Sequence, residues 1–203
     1  MPLGTANVLV DRLWSPSAER NRAAVRAVAL VIGFALLTAA LAQFEVRLSF
    51  TPVPITGQTM GVLLAGGSLG WRLGAASQLM YWLFGLVSLP FYAGFTGGWK
   101  NGTGATMGYL VGFVVAAGVI GYLAERRQDR NLASSWSAMA LGSIIIYAFG
   151  AGWLAHTLNI PVATGDTNAL SLGVTPFLIG DLIKLLLAGS ILPAMWAAVD
   201  RTK

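Results

Sequence analysis

The chain has 203 residues, 56% of them hydrophobic and only 10% charged, with a formal net charge of +5. Soluble domains carry about 25% charged residues, so this is the composition of a protein dissolved in lipid. It has no Cys, which excludes disulfide frameworks and thiol chemistry. A single His and few carboxylates argue against a transition-metal site, and basic residues scattered between apolar runs argue against nucleic-acid binding.

A helix needs roughly 20 apolar residues to cross a bilayer. Residues 1–22 are polar enough to read as a cytoplasmic segment, and residues 23–203 as one membrane domain. Ala23 to Gln43 is the first span; it is too long for a signal-peptide core and no cleavage pattern follows it. Gln58 to Gly70 is a short second span, closed by Trp71 and Arg72, and Leu73 to Phe91 is the third. The intervening "GSLGWRLG" admits either a tight turn or a kink in one long bent segment. Met107 to Ala124 is the fourth span, stopped by "ERRQDRN"; Ser134 to Leu154 is the fifth, and Val174 to Val199 is the sixth. The expected fold is therefore all-α, a six-transmembrane-helix bundle.

Orientation follows from the basic residues. If the N-terminus is cytoplasmic, every Arg and Lys except Arg47, Lys100 and the intramembrane Lys184 falls on the inside face. Both termini are then cytoplasmic. The outer connections, Phe44 to Gln58, Tyr92 to Thr106 and His156 to Gly173, are long and rich in Gly, Pro and Thr. Long ordered loops are disproportionately where ligands bind.

Asp181 and Lys184 lie three residues apart within the sixth apolar run, so they share a helix face. A charged residue at mid-membrane costs about 2.5–3.5 kcal/mol on insertion scales. Counted from Val174, Asp181 lies roughly 10 Å into its helix. Two readings stand side by side. One is a self-neutralising ion pair that locks two helices. The other is the floor of a pocket, with Lys184 meeting a carboxylate or carbonyl and Asp181 accepting from ligand N–H groups.

Four stretches carry a resemblance: "FTPVPITGQTMGVLLAG" (Phe50 to Gly66), "LPFYAGFTGG" (Leu89 to Gly98), "TMGYLVGF" (Thr106 to Phe113) and "GDLIK" (Gly180 to Lys184). Together they resemble the BioY family, the biotin-binding S-components of energy-coupling-factor (ECF) transporters, over roughly Leu36 to Leu192. The resemblance implies a six-helix bundle of the S-component type in the bacterial cytoplasmic membrane. It implies biotin capture from the extracytoplasmic side, and partnership with a transmembrane scaffold subunit and two ATP-binding subunits. It implies that Asp181 and Lys184 contact biotin, that "VPITGQT" forms a lid whose Gln58 also binds biotin, that Phe91, Tyr92 and Gly94 line the pocket, and that Tyr109, near the start of the fourth helix, belongs to the same binding site. The sequence departs from the family pattern at Ala105 and Met107, where Pro and Gly are usual.

The resemblance also implies a coupling surface of Ala-x-x-x-Ala type on the first helix; Ala35 and Ala39 keep the family's spacing to Gln43, with Ala23 and Ala27 as a second pair. No Gly-x-x-x-x-Gly-Lys loop is present, so this chain is not expected to hydrolyse ATP, and biotin is its substrate rather than a cofactor. Membrane lipids are expected contacts, and self-association is left open. The alternatives are an S-component for another vitamin, and an intramembrane serine hydrolase built on Ser68 in "GGSLG" with His156 as base.

Overall fold

A computed structural model describes residues 8–14, 17 and 19–201; Lys203, counted above on the inside face, lies outside them. The elements in chain order are α1 (Leu9–Leu13), α2 (Arg20–Ala42), β1 (Glu45–Val46), β2 (Ile55–Thr56), α3 (Gln58–Leu86), α4 (Trp99–Gly102), α5 (Met107–Glu125), α6 (Leu132–Leu158), α7 (Ala169–Gly173) and α8 (Leu178–Arg201). Among the described residues α2, α5, α6 and the run Ala169–Arg201 are long and apolar enough to cross a membrane. Their ends follow local chemistry. Asn131 caps α6 by accepting the Ser134 N–H at 3.0 Å, and Asn159 in the left-handed region (φ 53°) ends it. Asn168 and Ser171 form a capping box that starts α7.

The segment expected to hold the second and third spans is a helical hairpin. Gly70, at φ 80° and ψ 178°, breaks α3. The side chain of Gln58 donates to the Tyr81 hydroxyl at 2.6 Å, whereas 23 residues of straight helix would separate them by about 35 Å. A Cβ on Gly74 would stand 3.1 Å from the Cα of Gly66. The arms 58–69 and 71–86 therefore run antiparallel in close contact, and "GSLGWRLG" is a tight turn. Glu125, at the end of α5, accepts the Trp71 N–H at 3.1 Å and so caps the second arm. Small residues let this hairpin lie against α5: a Cβ on Gly66 would stand 2.7 Å from the Ala117 carbonyl, and one on Gly121 2.3 Å from the Gly70 carbonyl carbon. The second arm stops at Leu86, short of the Phe91 expected for the third span, because Ser88 takes φ 72° and Pro90 follows.

The connections segregate by end. At one end lie α1, the Gly70 turn, the α5–α6 connection and the C-terminal end of α8, joined by Arg12 to Asp200 at 3.2 Å and Arg26 to Asp11 at 2.8 Å. This end carries nearly all the basic residues. The opposite end gathers the loops 43–57, 87–106 and 159–177. The N-terminal segment departs from the expectation of plain polar chain. Leu9 and Val10 are buried, because α1 docks its apolar side against α3 and α8.

Asp129, in the α5–α6 connection, is 2% exposed and accepts a hydrogen bond from the Trp196 indole of α8, while Arg130 lies over the same ring at 4.1 Å. Its other oxygen is buried without a hydrogen bond. Burial pushes the Asp129 carboxyl up, although the Trp196 N–H, its own backbone N–H and Arg130 pull the other way. A carboxyl whose folded pKa exceeds its unfolded value favours the folded state more as pH falls through the folded pKa. Asp129→Asn keeps an acceptor for Trp196 and removes the desolvated charge. It should therefore be more thermostable than wild type at pH 7, by about 1–2 kcal/mol. The advantage should shrink as pH drops into the carboxylate range, as followed by melting in detergent across a pH series.

Candidate functional site

At the loop end, α5, α6, α8, the first turn of α3 and the loops 43–57 and 87–106 enclose a cavity of about 390 Å³. Asp181 and Lys184 lie at its base, joined at 2.5 Å between Lys184 Nζ and Asp181 Oδ1. The helix begins at Leu178, so Asp181 lies in its first turn, nearer the loop end than the count from Val174 suggests. There the helix dipole favours a carboxylate.

The pair is largely completed by the protein itself. Lys184 Nζ donates to Asp181 Oδ1, to the Thr56 carbonyl at 2.6 Å and to Thr59 Oγ1 at 3.3 Å, which uses all three ammonium protons. Asp181, 8% exposed, accepts from Lys184 and from Thr59 (3.0 Å) at Oδ1, and from the Tyr147 hydroxyl (2.5 Å) at Oδ2. Oδ2 alone keeps an unused acceptor position.

A strap crosses the cavity. β1 and β2 pair antiparallel, with Glu45 opposite Thr56, and carry the loop between them over the base. Three contacts hold it there. Lys184 binds the Thr56 carbonyl, Thr51 donates to the Leu172 carbonyl at 2.7 Å, and Val53 is buried in the same apolar cluster as Phe177. Gln43 ties this strap to the next loop, donating to the Tyr92 carbonyl at 3.3 Å and accepting from the Phe95 N–H at 2.8 Å.

Five expected residues line the cavity together: Asp181, Lys184, Tyr92, Tyr109 and Gln58. Their polar ends, apart from the ion pair, serve the scaffold. Tyr92 donates to the Trp82 carbonyl and Tyr109 to the Gly173 carbonyl, both at 2.7 Å, so each presents its ring to the cavity. Burial pushes the Tyr92 hydroxyl above its ordinary value. Phe91 is not on the wall; it stacks on Tyr81 and packs edge-on to Phe84, inside the bundle. Gly94 is not on the wall either. It takes φ 65° where a Cβ would fall 2.5 Å from Arg47 Nη2 and 2.7 Å from Glu45 Oε1, so its role is to let that ion pair lie against the turn.

Sequence reasoning missed Tyr147, Arg47 and Asn101, and took Thr59 only as the last residue of the lid "VPITGQT". Tyr147 had a signal, a lone hydroxyl within "SIIIYAFG", and Thr59 stood inside the quoted "TGQT". Ala35 and Ala39 turn inward. They are 0% and 8% exposed and pack with Val62 and Tyr81, because α2 leans on α3 with that face. The small residues on its outer side are Ala24, Ala29, Gly33 and Ala40. Ser68 sits two residues from the Gly70 turn and His156 in the last turn of α6, at opposite ends of the bundle, so they cannot share a proton.

The sequence matches the BioY family over residues 15–201. It is 38% identical over 157 residues to the probable biotin transporter BioY of Pyrococcus horikoshii, covering 77% of this chain and 88% of that one. It is 36% identical over 171 residues to the biotin transporter BioY of Rhizobium etli, covering 80% and 89%. The fold superposes with a TM-score of 0.78 on the crystal structure of the S-component for biotin from an ECF-type ABC transporter, at 26% identity, over 89% of this chain and 95% of that one. With the family matched over nearly the whole chain, and a relative of this similarity aligned over three quarters of it, the protein belongs to the BioY family.

Proposed function

We propose that this chain is a biotin-binding membrane subunit that mediates biotin uptake. The observation that carries the reading is the unused acceptor position on Oδ2 of Asp181, a residue that lines the cavity. Biotin offers a ureido ring with two N–H donors and one carbonyl, an apolar bicycle and chain, and a carboxylate. One ureido N–H meets Oδ2. The rings of Tyr92, Tyr109, Phe113 and Phe177 wall the apolar part, and Arg47 and Asn101 supply donors for the carboxylate. The cavity volume lies within the range of small-molecule sites, about 300–1,000 Å³. The names carried by the relatives and by the crystallised S-component support the same ligand. The chain acts as a binder without chemistry of its own.

The membrane arrangement belongs to the same proposal. The chain crosses six times, counting each arm of α3, as one domain in the bacterial cytoplasmic membrane. The basic end faces the cytoplasm with both termini, by the positive-inside rule, and the cavity opens to the outside. Delivery inward proceeds with a transmembrane scaffold subunit and two ATP-binding subunits, or by the chain alone. The outward small residues Ala24, Ala29, Gly33 and Ala40 of α2 are accessible to a partner helix, as Ala35 and Ala39 are not.

Equilibrium dialysis of the detergent-purified protein against labelled biotin tests the ligand, with thiamine and riboflavin as competitors. Saturable binding displaced by unlabelled biotin alone is the expected result. Folded protein that binds another vitamin and not biotin would overturn the assignment.

A further inference from the structure

The site reads its ligand through one carboxylate oxygen, and the surroundings of that oxygen are asymmetric. A carboxylate has about four acceptor positions. On Asp181, Oδ1 is filled from α8 by Lys184 and from α3 by Thr59. Oδ2 is held only by Tyr147, which comes from a third helix, α6. Rotation about Asp181's last side-chain bond, an intrinsically broad torsion, moves both oxygens together, so Lys184 and Thr59 on Oδ1 and Tyr147 on Oδ2 fix it jointly from three helices. The Tyr147 hydroxyl pins the second oxygen at 2.5 Å and fills one of its two positions. Tyr147 lines the same cavity as Asp181.

We infer that Tyr147 is a positioning and specificity-determining residue: by holding Asp181 Oδ2 from α6, it leaves one acceptor position aimed into the cavity and so sets the site to read a single ligand N–H. The inference rests on the proposed biotin site and adds to it. Asp181 supplies the acceptor, and Tyr147 decides where it points and how many donors it can take. Without the hydroxyl, Oδ2 has two open positions and a freer orientation. Water can fill either position, and the ligand N–H loses its preorganised partner.

The test compares biotin with biotins methylated at one or other ring nitrogen, on detergent-purified wild type, Tyr147→Phe and Thr59→Val, with melting curves to certify folding. Tyr147→Phe keeps the ring and its packing; Tyr147→Met also lacks a donor and serves if the Phe variant does not fold. In wild type, methylating the nitrogen read by Asp181 should weaken binding strongly. Tyr147→Phe should weaken biotin binding about 10- to 100-fold, the range for a hydrogen bond to a charged group. It should also shrink the methylation penalty, so that mutation and methylation are non-additive. Thr59→Val, acting on Oδ1, should weaken both ligands by a similar factor. If folded Tyr147→Phe weakens biotin and its methyl derivatives equally, the residue is merely structural and the inference falls. Failure of wild type to bind biotin at all would instead overturn the functional reading beneath it.

Discussion

Asp181→Ala should abolish biotin binding by the purified protein and destabilise it more than removal of both charges does. The single substitution takes the acceptor from the cavity and leaves Lys184, 16% exposed at its side chain, without its counter-charge. Breaking a buried pair from one side typically costs about 3–5 kcal/mol. Thr56 and Thr59 still accept from Lys184, but neither carries a charge. The double variant Asp181→Ala/Lys184→Met removes the orphaned cation and should recover most of the lost stability without recovering binding. Melting temperature and biotin affinity, measured on the same preparations, separate the two readings that the sequence leaves open. If folded Asp181→Ala binds biotin like wild type, the pair is a structural lock and the ligand lies elsewhere.

The second large effect belongs to Gly70. Its φ of 80° with ψ of 178° is a region occupied essentially by Gly alone, and a Cβ there would fall 2.6 Å from Glu125 Oε1. Gly70→Ala therefore adds backbone strain of about 1–3 kcal/mol and pushes aside the carboxylate that caps Trp71, a further 0.5–2 kcal/mol or so. We expect the melting temperature to fall by about 10 °C, with correspondingly low yields of folded protein. Gly165→Ala is the control. Gly165 has φ 79° but nothing within 4 Å of a Cβ, in an exposed loop. It should lose far less, since it brings strain without a collision. Equal losses at the two positions would mean that the Glu125 contact contributes nothing.

The long apolar runs of α5, α6 and α8 were legible because few residues interrupt them; the expected fourth span, Met107 to Ala124, differs from α5 by one residue. The hairpin was harder to read. Gly and Ser dominate "AGGSLG", and such a run suits a turn, a kink or a tightly packed helix equally well. The backbone break at Gly70, the approach of Gly74 to Gly66 and the bond from Gln58 to Tyr81 distinguish them. At the site, Asp181 and Lys184 stood out as charges in an apolar run, whereas Tyr147 did not, because a Tyr in a membrane helix is unremarkable until its hydroxyl is seen to meet a carboxylate. The resemblance groups Gly94 and Phe91 with Tyr92 on the pocket wall. The reversal around them sends Phe91 inward and leaves Gly94 beneath an ion pair. Ala35 and Ala39 show the limit of spacing arguments. Residues four apart share a face, but nothing local says whether that face looks in or out.

The two arms of α3 have a consequence for how the protein is made. At the helical rise they are about 18 Å and 24 Å long, short of a hydrocarbon core of about 30 Å, and α3 is absent from the helices apolar enough to cross unaided. During synthesis the hairpin follows α2 out of the ribosome and precedes α5. Its Gly-lined surfaces find their neighbours only when both are in place: Gly61 sits against Thr38 of α2, and Gly66 against Ala117 of α5. If both arms enter lipid, as the proposed six-span arrangement requires, packing against α2 and α5 supplies what their own length and hydropathy do not. Gln58 and Thr59, at the open end of the hairpin opposite the Gly70 turn, line the cavity.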